Sequence, residues 1–294
     1  MNFLTLMLLA CLSLFAEGAM SETVKLSGQL VYSAGSNDIS LIELRSLKYY
    51  SLGLFSTDSI NHLTKLSDRV ILFEDCTGIR KPNCLLREFD IDAKTSSTLR
   101  SGYLPTYIPE SKTLLFYDLD EGSGQKWLYV ADMRTPSIAQ KIAKAPADMI
   151  LPNSLTYPLI TQPLQISNDE VIFVGEDQDL WIFQISNSKL TPTGIKASAP
   201  YVWRKRTQQL ISYNWKSQEF YQITLKTGHA EKLPQLKGAS GLVYLPNDDV
   251  IIYGKSRMHM LISETYDIFA YGFNTNKEIK LRARSHISSG VWLP

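Results

Sequence analysis

The segment Gly290-Val291-Trp292-Leu293-Pro294 repeats the pattern of Gly241-Leu242-Val243-Tyr244-Leu245-Pro246, which opens an earlier unit of the chain. The first unit lacks such an opening segment, so the C-terminal residues supply what the N-terminal ones are missing. Further up the chain, a short apolar run recurs six times, ending at Tyr32, Phe73, Phe116, Val174, Tyr213 and Tyr253, with separations of 41, 43, 58, 39 and 40 residues. A second apolar run follows each after a polar loop, starting at Asp38, Cys84, Trp127, Asp179, Glu219 and Asp267. Turn-forming stretches such as Asn274-Thr275-Asn276-Lys277 and Lys226-Thr227-Gly228-His229 then lead into a short polar strand. Periods of about 40–45 residues with four strands each mark propeller blades, because one blade cannot cover both faces of its own sheet. The expected fold is all-β: a six-bladed β-propeller with four antiparallel strands per blade, closed by the C-terminal strand joining the N-terminal blade. The 58-residue separation holds an insertion, residues 145–161, carrying Met149, Ile150, Leu151, Leu155, Tyr157 and Leu159. Its three prolines disfavour a helix or central strand, leaving a rim loop or a partner-docking element.

The 294 residues are 44% hydrophobic and 20% charged, with a formal charge of +1, so no basic field marks a nucleic-acid partner. Residues 3–16 are uncharged and apolar, followed by small residues at Ala16, Gly18 and Ala19, the pattern of an export leader. The expected organisation is a signal peptide over 1–18 and one propeller domain over 19–294, exported to the bacterial periplasm. Leu8-Leu9-Ala10-Cys11 offers an alternative, a lipid anchor through Cys11. No later run approaches the length of a membrane-spanning helix. Cys76 and Cys84 flank a turn, and facing hairpin positions in an exported protein point to a disulfide. Two free thiols or half of a zinc site are the other readings, with seven intervening residues and no nearby His against zinc. No metal and no cofactor are expected.

Pro109-Glu110-Ser111-Lys112, the apolar run ending at Phe116, and Leu128-Tyr129-Val130-Ala131-Asp132 have a recognisable order. It resembles the repeat of TolB-like propellers, in which Pro-Asp-Gly precedes an apolar strand and a Leu-Tyr-Val-x-Asp strand follows. The resemblance covers residues 24–294 and implies a propeller of the cell envelope. TolB carries an additional N-terminal α/β domain, for which the interval between leader and first blade leaves no room. Relatives of this repeat include peptidases and polysaccharide lyases, so the resemblance does not choose between binding and catalysis.

Gly-x-Ser-x-Gly, HExxH and phosphate-cradling glycine loops are absent, and no catalytic residue is expected. His62 and His286 precede or open neighbouring inner strands, with Asp58 near the first; they form either a shared site at one channel mouth or two ordinary loop histidines. Asp118-Leu119-Asp120-Glu121-Gly122 reads as a calcium loop or a solvated hairpin tip, and Arg204-Lys205-Arg206 as an anion contact or a solvated turn. The expected role is a protein-binding or scaffold module of the envelope, whose partner is another envelope protein or a glycan. The alternative is a carbohydrate-active lyase or hydrolase with its site at the channel mouth, where Trp127, Trp181, Trp203, Trp215 or Trp292 would stack on sugars. In an up-and-down blade the loops between second and third strands share a face with the interblade connections. Residues 254–266 form the longest of those loops, read either as a recognition loop or as a β-hairpin extended beyond the blade with its side chains packed on a neighbour, and Arg80, Trp215, Arg257 and Met258 are the expected binding residues on that face.

Overall fold

The computed structural model describes residues 24–34, 37–54, 59–77, 83–146, 149–150, 156–157, 161–175, 179–196, 198–214, 217–259 and 263–294. Blade 1 begins with β1 (Gln29–Ser33), β2 (Asp38–Glu43) and β3 (Lys48–Leu54). Blade 2 comprises β4 (Ser59–Lys65), β5 (Val70–Thr77), β6 (Asn83–Asp90) and β7 (Thr95–Ser101). Blade 3 comprises β8 (Tyr103–Ile108), β9 (Thr113–Leu119), β10 (Lys126–Asp132) and β11 (Ala139–Lys144). A two-stranded hairpin, β12 (Met149–Ile150) with β13 (Thr156–Tyr157), lies in the insertion expected as a loop. Two-residue strands fit between the prolines that exclude longer ones. Blade 4 is β14 (Leu164–Gln165), β15 (Glu170–Val174), β16 (Asp179–Gln184) and β17 (Lys189–Lys196). Blade 5 is β18 (Ser198–Arg204), β19 (Gln209–Asn214), β20 (Glu219–Thr224) and β21 (His229–Lys232), and blade 6 is β22 (Ala239–Leu245), β23 (Val250–His259), β24 (Ser263–Gly272) and β25 (Lys277–Arg282). The last strand, β26 (Ser289–Leu293), pairs antiparallel with β1, setting Val291 opposite Val31 and Trp292 opposite Leu30.

The second strand of each blade is buried on both faces, which is why it reads as an unbroken apolar run instead of an alternation. Alternate side chains serve opposite neighbours: Leu30 and Tyr32 pack with Val243, Ile252 and Ile268 of blade 6, whereas Val31 packs with Ile60, Ile71 and Phe73 of blade 2. Six such clusters fill the six interblade interfaces, so the core is a ring of separate seams. The closing seam is fixed by further contacts. Ile287 is fully buried and Leu293 is 1% exposed, while Trp292 Nε1 donates to Ser27 O at 2.9 Å. Asp248 of blade 6 accepts from both the N–H and the Oγ of Ser27, at 2.9 and 2.8 Å. Gly241 has φ +59, and a Cβ there would stand 2.0 Å from Ile287 O; only glycine permits that approach.

Four inner strands carry the same irregularity, a register shift at Asn61/Thr64 in β4, Tyr103/Thr106 in β8, Ser198/Tyr201 in β18 and Ser240/Val243 in β22. In β4, β8 and β22 the bulge releases a residue from the ladder and turns its backbone left-handed. Glycine fills that position in β22 at Gly241, but His62 (φ 47) and Leu104 (φ 53) fill it in β4 and β8. Such conformations cost about 1–3 kcal/mol in a non-glycine residue.

Cys76 and Cys84 face each other in the β5–β6 hairpin and are joined by a disulfide. Closing a nine-residue loop removes about 2.6 kcal/mol of unfolded-state entropy in the chain-entropy account. Unreduced intact-mass analysis is expected to show the chain 2 Da lighter than its dithiol form. Two alkylatable thiols in the native protein would contradict the bond.

Candidate functional site

The inner strands surround a central channel that holds a cavity of about 410 Å³, lined from all six blades by residues including Thr64, Tyr107, Gln165, Trp203, Tyr244 and Trp292. The lining residues belong to the later halves of the inner strands, so the cavity lies toward the short turns and away from the loops between second and third strands. Among the described lining residues the charged ones are Lys65 and Lys205, and Lys65 is held by Asp68 at 2.5 Å. Much of the polar capacity around the channel is already used. Gln162 Nε2 donates to Pro105 O and weakly to Leu63 O, Tyr201 OH donates to Gln162 O at 2.9 Å, and Thr106 Oγ1 donates to Pro163 O. The Leu63 N–H donates to Ser289 Oγ at 2.8 Å. Burial holds the Tyr201 phenol above its usual range. These bonds tie neighbouring blades together, so the channel wall acts as a brace.

On the opposite face the blade 6 segment is the extended hairpin, one of its two expected forms. Strands β23 and β24 are ten residues each and stay paired from Val250–Gly272 out to His259–Ser263, so residues read as a thirteen-residue loop are mostly ladder. Pairing to β22 stops at Lys255 and pairing to β25 at Ile268. Arg257 sits opposite Thr265 and Met258 opposite Glu264 in this ribbon. Arg80 and Trp215 lie outside the described residues.

The two channel histidines have different partners. His286 Nδ1 is 3.2 Å from Ala34 O and its ring packs edge-on against Tyr266, with centroids 4.3 Å apart. His62 Nδ1 meets Glu74 Oε2 at 3.0 Å. Asp58 lies outside the described residues. In the acidic loop, Asp120 binds Lys141 at 2.5 Å and Ser123 at 2.7 Å, and Asp118 accepts from Ser101 Oγ at 2.8 Å. Those carboxylates brace a hairpin. Lys141 first, and then Ser123, hold the Asp120 carboxyl below its usual range.

Arg204 is neither an anion contact nor a solvated turn residue. Its guanidinium clamps the fully buried Asp249 carboxylate through Nε at 2.8 Å and Nη2 at 2.6 Å, donates to Gln222 Oε1 at 3.0 Å, and lies 3.9 Å over the Phe273 ring. Tyr244 OH adds a third bond to Asp249 at 2.9 Å. Burial pushes Asp249 upward, but these hydrogen bonds outweigh it and leave the carboxyl below its usual range. Burial and the bond to Asp249 push Tyr244 up to about 12. Asp249 has φ 52 and ends the turn Pro246-Asn247-Asp248-Asp249.

No known protein-family model matches the chain, and no curated protein matches its sequence. Solved structures do. A Bacteroides thetaiotaomicron VPI-5482 protein of unknown function is similar with TM-score 0.55 and 10% identity, over 91% of this chain and 78% of that one. An oligogalacturonate lyase in complex with manganese is similar with TM-score 0.51 and 12% identity, over 86% and 77%. The β-propeller domain of the trilobed protease from Pyrococcus furiosus gives 0.48 and 12%, over 75% and 69%. The likeness is one of fold. At these identities the neighbours carry no residue role to this chain, and its six-bladed ring must be read from its own side chains.

Proposed function

We propose that the chain is an exported, non-catalytic binding module of the cell envelope that captures a protein partner at the loop face through the β23–β24 ribbon. The observation that carries this reading is the ribbon itself. Beyond Lys255 and Ile268 it runs on as two strands, with no third strand alongside Arg257–His259 or Ser263–Thr265 among the described residues. Backbone groups at such an edge pair readily with an extended segment of another chain. Arg257 and Met258 add charge and an adaptable apolar side chain to that edge, a pairing that suits protein surfaces. Arg80 and Trp215, which chain order assigns to the loops between second and third strands of blades 2 and 5, are proposed as further contacts. The disulfide supports an oxidising compartment, and the TolB-like repeat of residues 109–132 supports an envelope setting. No helix among the described residues is long and apolar enough to cross a membrane.

Cross-linked capture from an envelope fraction, run with the native chain and with Arg257→Ala/Met258→Ala, tests the assignment. Loss of two contact residues is expected to reduce the recovered partner roughly tenfold while the melting temperature stays within about 1 °C. Undiminished capture, or loss of folding on substitution, would reject the ribbon as the binding edge.

A further inference from the structure

Glu74 is 6% exposed, in the second strand of blade 2, and its carboxylate is pressed against the disulfide. Oε1 lies 2.9 Å from Cys76 Sγ and 3.7 Å from Cys84 Sγ. Oε2 accepts the Leu104 N–H at 2.7 Å and the His62 Nδ1–H at 3.0 Å. Both of those donors come from the left-handed bulge residues of β4 and β8, so two strained positions in adjacent blades are aimed at one carboxylate. In the oxidised protein this arrangement brings Oε1 little. A disulfide sulfur carries no proton, so the oxygen has no hydrogen bond from either cysteine, and burying a carboxylate is costly unless all its lone pairs are used.

The same atoms make chemical sense once the S–S bond is opened. One donor atom each from Glu74, Cys76 and Cys84 lies within 4.8 Å of the others, and all three residues are buried. Two thiolates and a carboxylate, the last held by an imidazole through its other oxygen, form a donor set suited to Zn²⁺. The two cysteines alone supply no third ligand; the fold supplies Glu74 from two residues before Cys76 on β5, and His62 from the neighbouring inner strand holds its other oxygen.

We propose that Glu74, Cys76 and Cys84 form a zinc site that the disulfide masks and a dithiol reductant opens. The Cys76–Cys84 bond takes two electrons and two protons from the dithiol, which leaves as its own disulfide. Zn²⁺ then displaces the two thiol protons and binds both sulfurs and Glu74 Oε1, and His62 acts as a positioning residue on Oε2. This site is independent of the ribbon, so it stands or falls apart from the partner-binding role.

The test uses the full chain, reduced and desalted anaerobically, titrated with Zn²⁺ against a chromophoric chelator. One zinc per reduced chain and none per oxidised chain is expected. Glu74→Gln is expected to weaken binding on the order of 10- to 100-fold, and His62→Ala about tenfold. Co²⁺ substitution should give the thiolate-to-metal absorption of a two-sulfur site, absent from Cys76→Ser/Cys84→Ser. No zinc uptake by the reduced chain, or equal uptake by Glu74→Gln, overturns the proposal. If reduction unfolds the chain, refolding with and without Zn²⁺ replaces the titration: metal-dependent recovery of the native sheet signal supports the site, and failure to recover overturns it.

Discussion

A chain ending at residue 286 is expected to lose its cooperative folding transition. The truncation removes Ile287 from the closing seam and Leu293 from the seam between blades 1 and 2, and deleting a buried aliphatic side chain costs about 2–5 kcal/mol each. It also uncovers the inner edge of β1, which pairs with β26 over five residues, and breaks the Trp292 bond to Ser27. The combined loss is comparable to the whole stability of an ordinary domain, about 5–15 kcal/mol. Urea titration followed by far-ultraviolet circular dichroism checks this, and an unchanged midpoint would contradict ring closure by β26. Gly241→Ala separates the lost contact from the lost length, because its Cβ would meet the Ile287 carbonyl in an otherwise complete chain.

Arg204→Ala should be the most damaging single substitution of a charged residue. It leaves Asp249, whose side chain is fully buried, as an unpaired charge at the seam between blades 5 and 6. Breaking such a pair costs about 3–5 kcal/mol, which for a chain of this size lowers the melting temperature on the order of 10 °C. The pH dependence carries the diagnosis. In the native chain Asp249 titrates below its unfolded value, so its contribution is present above about pH 3.9 and is lost as pH falls through the lower folded value. In Arg204→Ala the unpaired carboxyl resists ionisation, so acid removes the penalty as pH falls toward about 3.9, and the gap between the two proteins narrows further below it as the native chain loses its own contribution. A gap that stays constant with pH in thermal scans would assign the loss to packing on Phe273 instead.

The ring was legible because its signals are local and repeated: apolar second strands, turn residues and complementary end segments each report one blade at a time. The disulfide was legible for the same reason, since both cysteines flank one hairpin. Arg204 and Asp249 were not, because they are 45 residues apart and meet only when two blades pack. Glu74 escaped for a related reason. In a blade strand it reads as a polar interruption, and its partners Leu104 and His62 are recruited from neighbouring strands by bulges that leave no apolar pattern. The ribbon of blade 6 was left between a loop and an extended hairpin because its sequence lacks a clear alternation of apolar and polar residues.

The pairing of Leu30 with Trp292 spans 262 residues of sequence. Bringing two points that far apart together costs about 5 kcal/mol in loop-closure entropy, against about 2 kcal/mol for a ten-residue hairpin. Blades 2 to 6 are built from local hairpins and can collapse early, whereas blade 1 waits for the final strand of the chain. The side of β1 and β2 that faces blade 6 therefore stays uncovered until β26 docks, an interval in which exposed strand edges are open to misassociation. The rate-limiting step of refolding should accordingly be docking of β26, a slow and late event that sets how long the nascent ring depends on protection from other chains.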